Sequence, residues 1–537
     1  MANVLPLDII APGAKGLNTE HANVLLEPTW ATVALNAVVN RSGRIAARRG
    51  WASQTTTAIA STPTIDVIFE YLDQQGTSVI ITTAGNKIYK GLTDFTDAAN
   101  DITSTSAPSA DHWKFINFNG KVLGFQRGHT PIARSSGDFA DASYTGTGPD
   151  GHTALAAFGR VWAADADLQT VRYSVLLDDT DYSTGNGGGV INMSSVWTNG
   201  MDEIVAIAAI GSNLVVFGKN HIVMWADGSG SELGIDPTAL EVVDTIEGTG
   251  CIARDSVQNT GEGDLIFLSR HGVQSLGRVI QMKSNPVDTL SRNVRTELGA
   301  TIATNRASDA QLDAVRSTHS SEEGLYILNF PGTGEQWVFD TNHPFNDDEG
   351  REVFPITQWN LGGGIAGLCT LVDGKTYFGG AGIVGKYSGQ DDNGSDYQFE
   401  YTSGWLDFGE YNHKLKMLKE MIASVTIGTA SVAWTWEFDF SGTTLNRVVN
   451  YQGGGIAQFN VSEFSDGGGA GIGYIDPAIG ATSGESEFSG SLVLTRKLIA
   501  AHGEGQFLRL GASASINGTD FIIQHMSLAP KLGRMVT

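Results

Sequence analysis

Residues 113–125 read Trp-Lys-Phe-Ile-Asn-Phe-Asn-Gly-Lys-Val-Leu-Gly-Phe. Two apolar-rich, alternating runs flank the pair Asn119-Gly120 in this stretch. An Asn-Gly pair between two such runs is the strongest short-range signal for a β-hairpin, because both residues tolerate the positive φ angles of a two-residue turn. The stretch therefore predicts two antiparallel strands joined by a tight turn.

Similar units recur along the chain between about residue 66 and residue 387. They start 41 to 60 residues apart, near positions 66, 111, 152, 203, 263, 323 and 365. A four-stranded propeller blade with loop insertions has this period. A β-helix would show a shorter and stricter period, and an array of β-sandwiches is the other alternative. We therefore predict an all-β fold built on a β-propeller of six to eight blades.

One segment departs from the strand pattern. Apolar residues recur there every four positions, at Leu290, Val294 and Leu298. This spacing predicts one short amphipathic helix inserted between blades, which begins at Asp288 or Thr289 and ends at Gly299. Its apolar stripe is expected to pack on the propeller rather than to bind a partner.

The C-terminal part has a different sequence pattern. Alternating segments at 404–409, 433–440, 507–510 and 521–526 predict a second all-β domain that resembles a sandwich. The predicted domains are an N-terminal segment that packs on the propeller or on a neighbouring subunit (1–60), the propeller (61–398) and a C-terminal platform domain (399–537). The last contains a glycine-rich loop at 453–485.

The composition limits the function. Lys and Arg number 34 against 58 Asp and Glu, which gives a formal net charge of −24. Phosphate binding is driven mainly by Lys and Arg, so a chain this acidic is not expected to grip nucleic acid over its whole surface. Only two cysteines occur, which excludes a disulfide framework. No secretion signal is visible, and the notable apolar run at 204–210 is too short to span a bilayer.

Motifs for catalysis are weak. Gly374-Lys375-Thr376 looks like the end of a phosphate-binding loop, but Cys369 stands where that motif requires glycine. Residues 248–253 match a dinucleotide-binding glycine pattern, yet no long helix is predicted after them. Acidic clusters at 178–181, 347–349 and 391–396 lie in turn-like contexts, which favours solvated loops. We therefore predict no enzyme activity, no cofactor and no metal site.

A basic segment stands out in this acidic chain. It contains four arginines within nine residues and a following tryptophan, namely Arg41, Arg44, Arg48, Arg49 and Trp51. These residues are candidates for a subunit interface. Contact with DNA is the alternative interpretation, and the turn-like residues around the arginines favour the interface.

The order of several motifs resembles one known family, the tail nozzle proteins of short-tailed bacteriophages (tail tubular protein B, or packaged-DNA stabilisation protein). The similar segments are residues 35–50, 248–251, 265–273, 290–291, 505–510, 521–523 and 533–534. Each segment alone has low specificity, and together they are spread over most of the chain.

The resemblance implies a structural virion protein that forms a hexameric ring below the head-to-tail adaptor. The implied partners are the adaptor, tail fibre or spike proteins, and double-stranded DNA that passes through the lumen without sequence-specific binding. The implied location is the virion tail, assembled in the bacterial host cytoplasm. A propeller protein that binds or cleaves glycans during receptor interaction remains the alternative hypothesis.

Overall fold

The computed structural model describes most of the chain as two compact units. The described residues are 7–24, 26–103, 112–198, 202–228, 235–260, 263–282, 289–347, 350–362, 364–451, 457–458, 487–488 and 493–535. Unit 1 comprises Met1–Ala52, Asn342–Asn360 and Ser388–Thr537, and unit 2 comprises Ser53–Thr341 and Leu361–Tyr387. The glycine-rich loop predicted at 453–485 lies outside the described residues, apart from 457–458.

Unit 2 is built from small antiparallel sheets. Sheet 1 contains Ile65–Leu72, Ser78–Ala84 and Lys87–Lys90; sheet 2 contains Lys114–Phe118, Lys121–Phe125, Ile132–Arg134 and Ala140–Asp141; sheet 3 contains Ala154–Ala157, Arg160–Ala164, Thr170–Tyr173 and Gly189–Asn192. Sheet 4 contains Ile204–Ile210, Asn213–Gly218, His221–Asp227 and Leu240–Glu247; sheet 5 contains Gln258–Asn259, Leu265–Ser269 and Gly272–Ser275; sheet 6 contains Gly367–Thr370, Thr376–Gly379 and Val384–Tyr387. A further three-stranded antiparallel ladder lies between sheets 5 and 6 in the chain and contains Arg316–Ser320, Leu325–Phe330 and Glu335–Asp340.

These sheets form a closed ring. The first strand of sheet 1 lies against the first strands of both sheet 2 and sheet 6, and sheet 6 lies against the ladder. Apolar clusters fill the spaces between sheets 6 and 1, 1 and 2, 2 and 3, 3 and 4, and 4 and 5. Burial of apolar side chains between radially arranged sheets is the way a propeller is stabilised. The prediction of a β-propeller with six to eight blades is confirmed.

Two hairpins show how the sequence determines the blades. Asn119 and Gly120 adopt φ angles of 50° and 68° and join two paired strands of sheet 2, as predicted. Gly374, with φ of 75°, turns the chain between two strands of sheet 6. The apparent phosphate-binding motif at this glycine is therefore a hairpin turn.

Three α-helices occur among the described residues of unit 2. They are α1 (Leu276–Met282), α2 (Arg295–Asn305) and α3 (Asp309–Asp313). Single 3-10 turns lie at Ala98–Asn100, Thr184–Asn186, Met193–Ser195, Pro237–Ala239 and Arg292–Val294, and unit 1 has one at Gly409–Tyr411.

The inserted helix is α2, and its bounds differ from the predicted ones. It begins at Arg295 and continues through Gly299. The N–H of Leu290 donates to the carbonyl of Val273, and the N–H of Val273 donates to the hydroxyl of Ser291. Residues 290–291 therefore pair with a strand of sheet 5 before the helix starts. Tertiary pairing has overridden the helical pattern here. The apolar stripe is buried, as expected.

Unit 1 is a β-sandwich. One sheet has the order Ala37–Val39, Ile45–Ala47, Phe521–Leu528, Lys414–Ile427 and Val493–Gly505, with Leu7–Ile10 paired to Phe521–Leu528 and Lys531–Met535 paired to Lys414–Ile427. The other has the order Ile356–Trp359, Ala31–Leu35, Tyr397–Leu406, Leu508–Ile516, Ala430–Phe438 and Leu445–Tyr451. Two-stranded pairs are formed by Phe345–Asn346 with Glu352–Val353 and by Ala457–Gln458 with Glu487–Phe488. Trp51–Ser53 is a further short strand.

Aromatic side chains fill the space between the two sheets. The rings of Phe399 and Phe521, one from each sheet, meet edge to face with centroids 5.1 Å apart. The indole of Trp436 donates to the carbonyl of His502 across the same interior, at 2.8 Å. The sandwich-like domain predicted for the C-terminal part is therefore present. The N-terminal strands pair with its C-terminal strands inside unit 1.

Candidate functional site

The tip of the arginine-rich segment is a hairpin turn in unit 1. The side-chain oxygen of Asn40 accepts from the N–H groups of Ser42 and Arg44, both at 3.0 Å. This turn joins Ala37–Val39 to Ile45–Ala47. It leaves Arg41 exposed and Arg44 half-buried, while Arg49 is exposed farther along the chain.

Arg48 is fully buried and forms what we call the clasp. Its guanidinium makes a two-pronged ion pair with Asp392, with N···O distances of 2.8 and 2.7 Å. The same group donates to the side chain of Asn36 and to the carbonyl of Asn360, both at 2.9 Å. It also lies 4.1 Å from the ring centroid of Tyr397. Every side of this guanidinium is therefore occupied from within unit 1.

Two of the predicted interface residues are thus interior residues. Arg48 has no exposed surface, and Trp51 is only 7% exposed. Between them, Gly50 approaches Asp391 so closely that a Cβ on it would lie 1.8 Å from the carbonyl oxygen of Asp391. The prediction that Arg48 and Trp51 form a surface for another subunit is wrong for the folded chain, because both side chains are buried within it, Arg48 in the clasp. The interface prediction narrows to Arg41, Arg44 and Arg49.

The acidic clusters have structural partners where they are described. Asp179 pairs with Lys121 at 3.0 Å, Asp181 accepts from Ser183 and Asn186, and Asp392 belongs to the clasp. Residues 348–349 of the 347–349 cluster lie outside the described part. Within the described ranges, no group of three or more His, Cys, Asp or Glu side chains is arranged to hold a metal ion. In the same ranges, no helix has the length and apolar character needed to cross a membrane.

A buried charge network that no sequence pattern predicted lies at the centre of unit 2, and we call it the hub. The contacts that define the hub all join a cation to one carboxylate, that of Asp255. Lys114 donates to one carboxylate oxygen at 2.9 Å, and Arg254 and Arg316 contact the other at 2.6 and 2.8 Å. Three cations therefore converge on one anion.

The hub ties the blades together at their inner ends. Arg254 donates to the carbonyls of His152 and His112, at 2.7 and 2.8 Å, and these residues precede the first strands of sheets 3 and 2. Arg316, in the ladder, donates to the carbonyl of Asp66 in sheet 1 at 3.4 Å. A single cluster thus bonds to backbone groups from several sheets, which is the arrangement expected of a structural cross-link.

Electrostatics fix the protonation state of the hub. Burial alone would raise the pKa of Asp255, but Arg254, Lys114 and Arg316 outweigh it and hold that pKa well below its ordinary value. The opposite holds for His152, where burial, together with Arg254 and Arg127, lowers the pKa to about 3. Asp255 is therefore ionised at neutral pH and cannot serve as a general acid, and His152 is neutral.

The sequence contained one weak signal for the hub. Arg254-Asp255 is an adjacent pair of opposite charges in an otherwise apolar, glycine-rich stretch. Its other partners lie 141 residues earlier and 61 residues later in the chain. Ion-pair partners this far apart in the sequence cannot be identified unless the arrangement of the blades is known.

Comparisons with known proteins add little beyond the fold. No protein-family model matches the chain, and no curated protein matches it. Among solved structures, it is similar to a streptogramin B lyase (12% identity, TM-score 0.35, covering 61% of this chain and 95% of the other) and to YCF48 bound to D1 peptide (11%, 0.34, 63% and 95%). Hsv2 of Kluyvelomyces marxianus is a further similar structure (11%, 0.30, 53% and 82%). Similarity at this level carries no argument about activity.

Proposed function

We propose that this chain is a structural virion protein, the tail nozzle of a short-tailed bacteriophage. In this proposal it forms a hexameric ring below the head-to-tail adaptor, in the tail of a virion assembled in the bacterial cytoplasm. The ring retains packaged double-stranded DNA and conducts it during ejection, and tail fibre or spike proteins attach to it. The observation that carries the proposal is the charge distribution of the chain.

A substantial share of the basic groups is paired inside each copy, where it is not available to phosphates. At least twelve Lys and Arg side chains of the described residues form ion pairs with carboxylates of the same chain. With a net charge of −24, acidic groups remain in excess. A duplex gains affinity for a protein through each Lys or Arg that neutralises a phosphate. A ring of such copies would therefore repel DNA and let it slide.

The path for DNA would have to lie between copies. The cavity at the centre of unit 2 has a volume of about 250 Å³ and is lined by the hub residues Lys114, Asp255 and Arg316. This is the space of only about eight water molecules. A duplex cannot enter it, so conduction requires a lumen enclosed by several chains, with head-to-tail contacts between neighbours.

The glycan-cleaving alternative requires two carboxylates that divide the roles of acid and base or nucleophile. Asp66 and Asp255 are the carboxylates that line the central cavity. The low pKa of Asp255, set by three cations, removes it as a proton donor. No specific observation favours this alternative, and it serves as the opposing outcome of the test.

The test is assembly on the adaptor protein, measured by size-exclusion chromatography with multi-angle scattering. We expect a ring of six copies, and we expect the triple change Arg41→Ala, Arg44→Ala and Arg49→Ala to prevent it while the chain still folds. The matched control is Lys90→Ala, Arg270→Ala and Arg306→Ala, three exposed residues of unit 2 with the same loss of charge. A chain that stays monomeric with the adaptor and hydrolyses surface polysaccharide would overturn the proposal.

A further inference from the structure

Two edge strands of the chain leave apolar side chains in solvent. In unit 1, Val493–Gly505 lies at the edge of its sheet and pairs with Lys414–Ile427 alone among the described residues. In unit 2, Leu240–Glu247 lies at the edge of sheet 4 and, in the same ranges, pairs with His221–Asp227 alone. The open side of an edge strand offers backbone N–H and C=O groups to another chain, above all where the strand is apolar.

The strand in unit 1 contains what we call the basic edge, residues 494–498. Leu494 and Leu498 are 67% and 63% exposed. Between them, Arg496 and Lys497 are exposed, and neither pairs with a carboxylate in the described part of the chain. Because side chains alternate along a strand, Arg496 lies on the same face as the two leucines. The basic edge therefore presents a cation between two apolar side chains.

The strand in unit 2 contains what we call the acidic edge, which consists of Glu241, Val242 and Val243. The two valines are 44% and 58% exposed. Successive residues of a strand point to opposite faces, so this part of the strand is uncovered on both faces. Glu241 is exposed and has no ion-pair partner among the described residues. Farther along, Ile246 is buried in a cluster with Leu276 of α1, and the open part of the strand ends before it.

The charges disfavour the pairing of either edge with its own kind. Two basic edges would bring together the cations of Arg496 and Lys497, and two acidic edges would bring together two copies of Glu241. Like charges on neighbouring strands are destabilising, whereas opposite charges and apolar pairs are stabilising. A basic edge opposite an acidic edge gains both kinds of favourable pair, so the two edges are complementary.

We propose that the basic edge of one copy pairs with the acidic edge of the next copy as antiparallel β-strands. This inference rests on the proposed ring, for which it names the surfaces that meet. Antiparallel pairing is slightly more stable per residue than parallel pairing. The antiparallel register that sets Arg496 opposite Glu241 also sets Leu494 opposite Val243. Because every copy carries both edges, each pairing leaves one edge of either kind open for a further copy, as head-to-tail contacts in a ring require.

The first test is a disulfide between copies. Leu494→Cys and Val243→Cys chains are purified separately, mixed in equal amounts with and without the adaptor, and oxidised. Gels without reductant then measure the dimer. We expect roughly tenfold more dimer from the mixture than from either variant alone or from the parent chain, because only the mixture places two exposed cysteines opposite each other. The parent's own cysteines are buried (Cys251) or half-buried (Cys369).

Leu498→Cys is the matched control for this test. In the proposed register it lies about 13 Å along the strand from Leu494, beyond the reach of a disulfide to Val243→Cys. A mixture that forms no dimer, or that forms it equally well with Leu498→Cys, would overturn the proposal.

The second test exchanges the charges. Arg496→Glu and Glu241→Arg should each lower the fraction of chain assembled on the adaptor at least about tenfold, because each sets like charges opposite each other. The double variant restores opposite charges, and we expect it to assemble to within about threefold of the parent. Arg270→Glu, at an exposed arginine outside both edges, is the control and should assemble as the parent does. Circular dichroism checks that each variant is folded. A folded double variant that assembles no better than the single variants would refute the pairing.

This proposal and the proposed function fail separately. If the parent chain does not assemble on the adaptor, the proposed function is wrong, and the disulfide in the mixture still decides whether the two edges pair. If the ring forms but the mixture gives no disulfide, the proposed function stands and the pairing of these edges is wrong.

Discussion

The clasp of unit 1 and the hub of unit 2 are both buried ion-pair clusters, but they differ in balance. In the clasp, one guanidinium meets one carboxylate in a two-pronged pair, and Arg48 has no exposed surface. In the hub, Lys114, Arg254 and Arg316 share Asp255, and Lys114 remains one-third exposed.

This difference separates two uses of buried charge. Removing either partner of a buried one-to-one ion pair is strongly destabilising, because the remaining charge is left uncompensated in a medium of low polarity. A cluster with more cations than anions depends strongly on its anion and weakly on any one cation. The clasp therefore depends on both of its partners, whereas the hub depends mainly on Asp255.

The largest expected effect is that of Asp255→Asn. It leaves three cations close together without their anion, and we expect the free energy of unfolding to fall by about 5 kcal/mol. Urea unfolding followed by circular dichroism measures this loss. A loss below about 1 kcal/mol would show that the hub does not stabilise the propeller.

The next largest effect is expected from Arg48→Met, which leaves Asp392, whose side chain is only 13% exposed, without its partner. We expect a loss of about 3 kcal/mol, measured in the same way. Arg44→Met, at the half-buried position in the turn of the same segment, is the control and should change stability by less than about 0.5 kcal/mol. Equal losses for the two variants would refute the clasp.

A pH effect distinguishes the hub from the clasp. The pKa of His152 is about 3 in the folded chain, because burial and the nearby Arg254 and Arg127 disfavour its charged form, whereas an unfolded histidine titrates near 6.5. Between these values the unfolded chain binds more protons, so stability falls as the pH decreases from about 6.5 towards 3.

The corresponding variant is His152→Gln, which cannot take up this proton. At pH 4.5 we expect it to recover about 2 kcal/mol of the stability that the parent chain loses relative to pH 7. Thermal unfolding at a series of pH values measures this. Parallel pH profiles for parent and variant would contradict the assignment.

The smallest expected effect concerns the excess of cations over carboxylates in the hub. Lys114→Gln should lower the free energy of unfolding by less than about 0.5 kcal/mol, because two arginines still neutralise Asp255. Lys121→Gln should cost about 1 kcal/mol, since Asp179 is only 7% exposed and Lys121 is the partner of its carboxylate in the described structure. If Lys114→Gln lowered the free energy of unfolding more than Lys121→Gln did, all three cations of the hub would be needed to neutralise Asp255.

Local sequence patterns predicted the blades but not the clusters that hold them. The Asn119-Gly120 hairpin follows from turn geometry alone, so short-range information is sufficient. The helix boundary was misplaced because Leu290 and Ser291 pair with a distant strand, which no local pattern reveals. The clasp joins Arg48 to Asp392, 344 positions away, and the hub joins Asp255 to Arg316, 61 positions away. The interface role given to Arg48 was wrong for that reason.

The separation of Arg48 from Asp392 also has a consequence for biosynthesis. The two residues are 344 positions apart, so the ribosome must add the whole propeller sequence before the carboxylate that neutralises Arg48 exists. At about 5–20 residues per second, that interval is roughly 20 to 70 s. During this time the nascent N-terminal strands have no completed sandwich to join, so Arg48 is without the carboxylate that neutralises it in the folded chain.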